Sequence, residues 1–64
     1  MGYELLASTG NLIDWFDSEP EAWAALQRIV DLEPEHRHDV ALFVHDDDGR
    51  IIEGPIHLAP TALR

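Results

Sequence analysis

Residues 18–34, SEPEAWAALQRIVDLEP, decide the fold. Ser18 followed three residues later by Glu21 is the pattern of a capping box. In it the serine oxygen takes the amide of Glu21 and the glutamate reaches back to the amide of Ser18. Pro20 suits a first turn, where no intrahelical donor is lost, and Glu19 and Glu21 suit the positive end of the helix dipole. At about 100° per residue, Ala22, Trp23, Ala25, Leu26, Ile29, Val30 and Leu32 share one half of the cylinder. Glu21, Ala24, Gln27, Arg28 and Asp31 share the other. The spacing predicts an amphipathic helix with one buried face. Pro34 ends it near Leu32 or Glu33, because the residue before a proline avoids helical geometry.

Strand-like segments flank the helix on both sides. Tyr3 to Ser8 and Leu12 to Phe16 are short and rich in apolar and aromatic residues. Thr9-Gly10-Asn11 divides them, with residues that tolerate the positive φ of a hairpin turn. After a polar connector, Glu35 to Asp39, the run Val40 to Val44 has the β-branched and aromatic make-up of a strand. Asp46-Asp47-Asp48-Gly49 reads as a type I′ turn or a short bulged loop. Arg50 to Glu53 returns as a fourth strand that Gly54-Pro55 ends. The expected fold is α+β, a small β-β-α-β-β domain: a four-stranded antiparallel sheet with the helix packed on one face. Residues 1–54 form this single domain, and 55–64 are a C-terminal extended arm or tail.

The strands carry more apolar residues than one helix can cover. Leu12 and Phe16 alternate with Ile13 and Trp15, and Val40, Leu42 and Val44 alternate with Ala41 and Phe43. One sheet face must keep large apolar side chains in water, a patch that points to association. Trp15 and Phe16 point to opposite faces, and the one the helix leaves uncovered is the preferred anchor, since large aromatics dominate interfaces. The arm carries Ile56, Leu58 and Leu63 and is expected to pack in extended form on the sheet face or edge left open, with Arg64 meeting the acidic surface. The candidate interface residues are Trp15, Phe16, Phe43, Ile56 and Leu58.

Composition narrows the function further. At 64 residues without cysteine the core is thin and has no disulfide or cysteine-ligated metal to reinforce it. Thirteen acids face four arginines and no lysine, for a formal net charge of -9. Such a surface suits a basic partner. It disfavours direct contact with nucleic-acid phosphate, which needs a basic patch. No apolar run reaches the roughly 18 residues of a membrane span. The first residues lack the basic and apolar stretches of a secretion signal, so a cytoplasmic location is expected.

Chemistry-bearing motifs are sparse. Asp46-x-Asp48-Gly49 has the middle of a calcium loop, but Val44 and Pro55 stand where that loop needs oxygen ligands. His36, His38 and His45, with the acids Asp46 to Asp48, are the candidate set for a metal- or ligand-binding domain, the alternative reading of this chain. A zinc site needs three or four ligands converging at about 2.0–2.2 Å, and the spacing does not ensure that. The four glycines are isolated turn residues, and Ser8, Thr9, Ser18 and Thr61 carry no nucleophile signature. No catalytic residue, metal or cofactor is expected.

The order hairpin, helix, hairpin, with the helix opening Glu21-Ala22-Trp23-Ala24-Ala25-Leu26, resembles small partial-RNase-H-like antitoxin domains in topology, with no diagnostic motif shared. The expected function is a small acidic non-enzymatic interaction module, antitoxin-like or adaptor-like, forming a homodimer or docking on a basic protein. Thirteen acids on so small a domain also store self-repulsion. The thermal midpoint is expected to rise from low to moderate sodium chloride as that repulsion is screened. A midpoint that falls steadily in a calorimetric salt series would show ion pairs outweighing it.

Overall fold

The two hairpins are built on one turn. Ala7 N–H donates to the Asn11 carbonyl (2.9 Å) and Gly10 N–H to Ala7 (2.8 Å), as Asp46 N–H donates to Arg50 (2.9 Å) and Gly49 N–H to Asp46 (3.0 Å). Each loop of three residues closes on a glycine with positive φ, 92° at Gly10 and 82° at Gly49. A type I′ turn needs positive φ at two residues, and no residue other than glycine adopts it among the described residues. The second turn is therefore the bulged form. The Asp46 carboxylate tightens it by accepting from the amides of Asp48 and Arg50, both at 2.9 Å.

The computed structural model describes residues 1–61. Strands β1 (Gly2–Ala7), β2 (Leu12–Phe16), β3 (Val40–His45) and β4 (Ile51–Ile56) form one antiparallel sheet in the order β2-β1-β3-β4. Helix α1 (Glu19–Leu32) and a 3-10 turn (Pro34–His36) connect β2 to β3. The chain is the α+β domain the sequence indicates.

Strand alternation and helical spacing meet in one core. Tyr3 and Leu5 from β1, and Val40, Leu42 and Val44 from β3, pack against Ala22, Leu26 and Val30, which recur every four residues along α1. Leu26, Val30 and Leu42 are fully sealed from water. Phe16, Trp23, Ala25, Ile29, Ile56 and Leu58 pack around the margin. Leu32, expected on the buried face, is 71% exposed. It is the last residue of the helix, where the chain turns away into the 3-10 turn.

The expected capping box does not form. Ser18 takes the extended backbone of an N-cap, and its carbonyl accepts from Ala22 (3.0 Å), but its side chain makes no cap hydrogen bond. The first turn, Glu19 to Glu21, is exposed, so water can take its free amides, and Pro20 has none to satisfy. Glu19 instead accepts from the Trp23 indole N–H at 3.1 Å.

The fourth strand does not stop at Glu53. It runs through Gly54-Pro55 to Ile56, with Leu42 opposite Ile56 and Val44 opposite Glu53, so Gly54 and Pro55 bulge across from Phe43. An edge strand tolerates the proline at such a bulge. Gly54 has φ 130°, and a β-carbon there would lie 2.8 Å from the Phe43 ring and 2.9 Å from the Leu42 carbonyl. Only glycine fits.

The arm is extended, as expected, and runs by the sheet edge that the helix leaves free. Ile56, Leu58 and Pro60 are half-buried and alternate with exposed His57, Ala59 and Thr61, the pattern of an extended chain. It lies on the helix side of the sheet, not on the open face. Gln27 Nε2 donates to the Ala59 carbonyl (2.9 Å), and the Thr61 amide and hydroxyl each donate to the Asp31 carboxylate at 2.8 Å. Helix α1 packs on β1, β2 and β3, and Leu58 joins the core beside β4. The Thr61 amide, then its hydroxyl, hold the Asp31 carboxyl below its ordinary value. Leu63 and Arg64, expected to extend the arm's contacts, lie outside the described residues.

Leu26→Ala should cost about 2–5 kcal/mol, whereas Ser18→Ala, with no cap bond to lose, should stay within about 0.5 kcal/mol. Urea unfolding of the two variants checks this. Equal costs would mean that the helix packs by another face.

Candidate functional site: the open sheet face

Each strand gives its alternate residues to the face away from the helix. Glu4 pairs with Trp15 and Phe43, Leu6 with Leu12 and Ala41, and Gly2 with His45, which places all of them on that second face. No element of the described chain covers it. Leu12 (59% exposed), Trp15 (46%) and Ile51 (56%) stand in water there, with Ile13 exposed at the margin.

One end of the face is a platform. A β-carbon on Gly2 would collide with the Trp15 ring, so the indole lies directly over the Gly2 backbone. The indole also rests against the His45 imidazole, centroids 5.1 Å apart at 52°. His45 is held from both sides: Nε2 faces Glu4 Oε1 at 2.8 Å and Nδ1 faces the Gly49 carbonyl at 3.3 Å. Only the protonated ring can donate to both acceptors at once. The hydrogen bond to Glu4 accordingly raises the His45 pKa above its ordinary 6.5, against the opposing effect of burial.

The other end is a hollow of about 320 Å³, with Leu6, Ala41, Phe43 and Pro55 among its lining residues and Ser8, His38, Asp39 and His57 supplying its polar groups. His57 Nδ1 donates to the Val40 carbonyl at 3.0 Å, and His38 Nε2 accepts from Arg37 Nε at 3.2 Å. The two rings meet edge to face, centroids 5.8 Å apart. Serine, histidine and aspartate here are the residue types of a hydrolytic site, yet they are not wired as one. The Asp39 carboxylate bonds His36 at 2.8 Å, and the Ser8 hydroxyl bonds neither ring among the described residues.

Of the residues singled out from sequence, Trp15 and Phe43 lie on the open face. Phe16, Ile56 and Leu58 lie on the helix side, half-buried against the core. Phe16 stands opposite Tyr3, on the core-facing row of β1. His36, His38 and His45 do not converge. His36 pairs with Asp39, His38 stands by His57, and His45 is bound to Glu4. Among the described residues no three histidine, aspartate or glutamate side chains gather as metal ligands would. Glu4 and Leu6 are not among the residues singled out as candidates. Gly2 was a legible clue to the platform, since a strand glycine often marks a close approach.

Both sheet edges are blunted. In β2 the pairs Leu5–Asp14 and Leu6–Leu12 leave Ile13 as an extra residue, and the Trp15 amide donates to the Asp14 carboxylate at 2.7 Å. In β4, bulges at Ile52 and at Gly54-Pro55 break the ladder. Bulges, an edge charge and an edge proline all discourage pairing with another strand.

The charge is not cancelled internally. Among the described residues no arginine comes within 4 Å of a carboxylate; the ion pairs are those of the N-terminal amine with Asp47 and of His36 and His45. No helix is long and apolar enough to cross a membrane among the described residues. No family model, no curated protein and no solved structure matches the chain.

Because folding raises the His45 pKa, the stability gained from that proton is full below about 6.5 and lost as pH rises through the raised value. The difference in stability between wild type and His45→Gln should therefore shrink on going alkaline. Chemical denaturation from pH 5 to 9 checks this, and a gap that widens with pH would mean that neutral His45 is the favoured form.

Proposed function

We propose that the protein is a non-enzymatic, cytoplasmic interaction module that docks through its open sheet face on a basic protein, in an antitoxin-like or adaptor-like role. The observation that carries this reading is the set of large apolar side chains, Trp15 foremost, on a face no element of the described chain covers. Apolar surface bounded by polar groups is the form interaction sites take. The charge of -9, with the described arginines unpaired, favours a cationic partner over an anionic one. Phosphate backbones are disfavoured for the same reason.

Trp15→Glu puts a charge at the centre of the contact while leaving the core residues untouched. Wild type immobilised in an extract of its own cells should retain a basic protein that moderate salt releases, and Trp15→Glu, with an unchanged circular dichroism spectrum, should lose it. Sedimentation velocity of the isolated chain covers the other occupant, since a wild-type dimer that Trp15→Glu dissociates would assign the face to a second copy. A monomer whose capture is indifferent to Trp15 would overturn the reading.

A further inference from the structure

The Trp15 indole rests on two supports. Beneath it lies Gly2, which offers only backbone, and beside it stands the His45 ring, centroids 5.1 Å apart and tilted by 52°. Its own strand is the sheet edge β2, where Ile13 is left out of the pairing with β1. The side support is itself held by polar contacts. His45 and Glu4 are the most shielded of the described ion pairs, with side chains 14% and 24% exposed.

Charges reach His45 from each element around it. Strand β1 brings Glu4, whose Oε1 is 2.8 Å from Nε2. The turn after β3 brings the Gly49 carbonyl, 3.3 Å from Nδ1, together with Asp46, Asp47, Asp48 and Arg50. Asp47 is taken by the N-terminal amine at 3.0 Å, and Asp46 accepts from the amides of Asp48 and Arg50. Strand β2 adds the uncharged indole and Asp14, which accepts from the Trp15 amide, and β4 sets Ile51 opposite. The bond to Glu4 foremost, with the Asp46 charge behind it, favours a proton on the ring. A protonated ring donates to both acceptors and sets a cation beside the indole. A cation within about 6 Å of an indole centre is attracted to it.

We propose that the open face carries a proton switch: protonated His45 locks the Trp15 indole over Gly2, and loss of that proton releases it. Without the proton one ring nitrogen turns a lone pair toward an oxygen, so the ring loses its fixed orientation and the indole its charged neighbour. As regulation of docking, the switch rests on the open-face reading; as a property of the isolated chain, it does not.

Proton NMR of the full chain from pH 5 to 9 tests this by following the His45 ring and the Gly2 α-protons, which feel the ring current of the indole. Both transitions should share one midpoint above 6.5, with the Gly2 α-protons moving to ordinary glycine positions on the alkaline side. His45→Gln should abolish the Gly2 transition. Glu4→Gln keeps the imidazole and should lower both midpoints together. His36→Gln, which removes a ring bonded to Asp39 outside the platform, should change neither. Gly2 α-protons that stay in place while His45 titrates would overturn the switch. So would a His45 midpoint at or below 6.5, or a Gly2 transition that survives in His45→Gln. Partner capture that depends on Trp15 while Gly2 ignores pH would remove the switch and leave the docking reading standing.

Discussion

A helix of fourteen residues has one apolar stripe and can cover one face of a sheet. Everything distinctive about this chain depends on that limit. The stripe of Ala22, Leu26 and Val30 seals Leu5 on β1 and Leu42 on β3, the two central strands. Because strand residues alternate, sealing those positions commits Glu4, Leu6, Ala41, Phe43 and His45 to the opposite side. The arm could have covered that side, but it fastens to Gln27 and Asp31 on the helix instead. The apolar surplus therefore stays in water, on a surface whose edges are blunted against strand addition.

Two residue sets differ in what they give the fold. Leu5, Leu26, Val30 and Leu42 carry the fold, and each is sealed. Trp15, Leu12 and Ile51 contribute little to the isolated domain because water already reaches about half of each. Their area is still available to a partner. A thin core without disulfides also makes such a partner consequential for the domain itself, since whatever binds only the folded state shifts the folding equilibrium toward it.

The helix and its buried face were legible because three signals agreed: the periodicity, the first-turn proline and the terminating Pro34. The strands were legible from composition, and the choice between Trp15 and Phe16 followed from alternation once the covered side was known. What sequence concealed was the relief of local rules by context. Ser18 and Glu21 have the capping pattern, but an exposed first turn leaves those amides to water, so the pattern goes unused. Gly54-Pro55 has the make-up of a strand terminator, yet at a sheet edge it becomes a bulge, and β4 continues to Ile56. Asp31 looked like a solvent-side residue because the helix period alone cannot show that the arm returns to it. The hollow joins residues from the first turn, β3 and the start of the arm, a juxtaposition no local pattern encodes.

His45 ties the open face to the fold beneath it. Its ring receives the Trp15 indole on one side, while its two nitrogens reach Glu4 on β1 and the Gly49 carbonyl in the last turn. The same turn is fixed by Asp46 and reaches the amino terminus through Asp47. Three strands and a turn thus converge on one imidazole. Deprotonation costs the ring one of its two N–H donors and leaves the Glu4 carboxylate without its cation. An unpaired charge is costly to remove from water. The charge state that steadies the fold is therefore also the one in which Glu4 is paired.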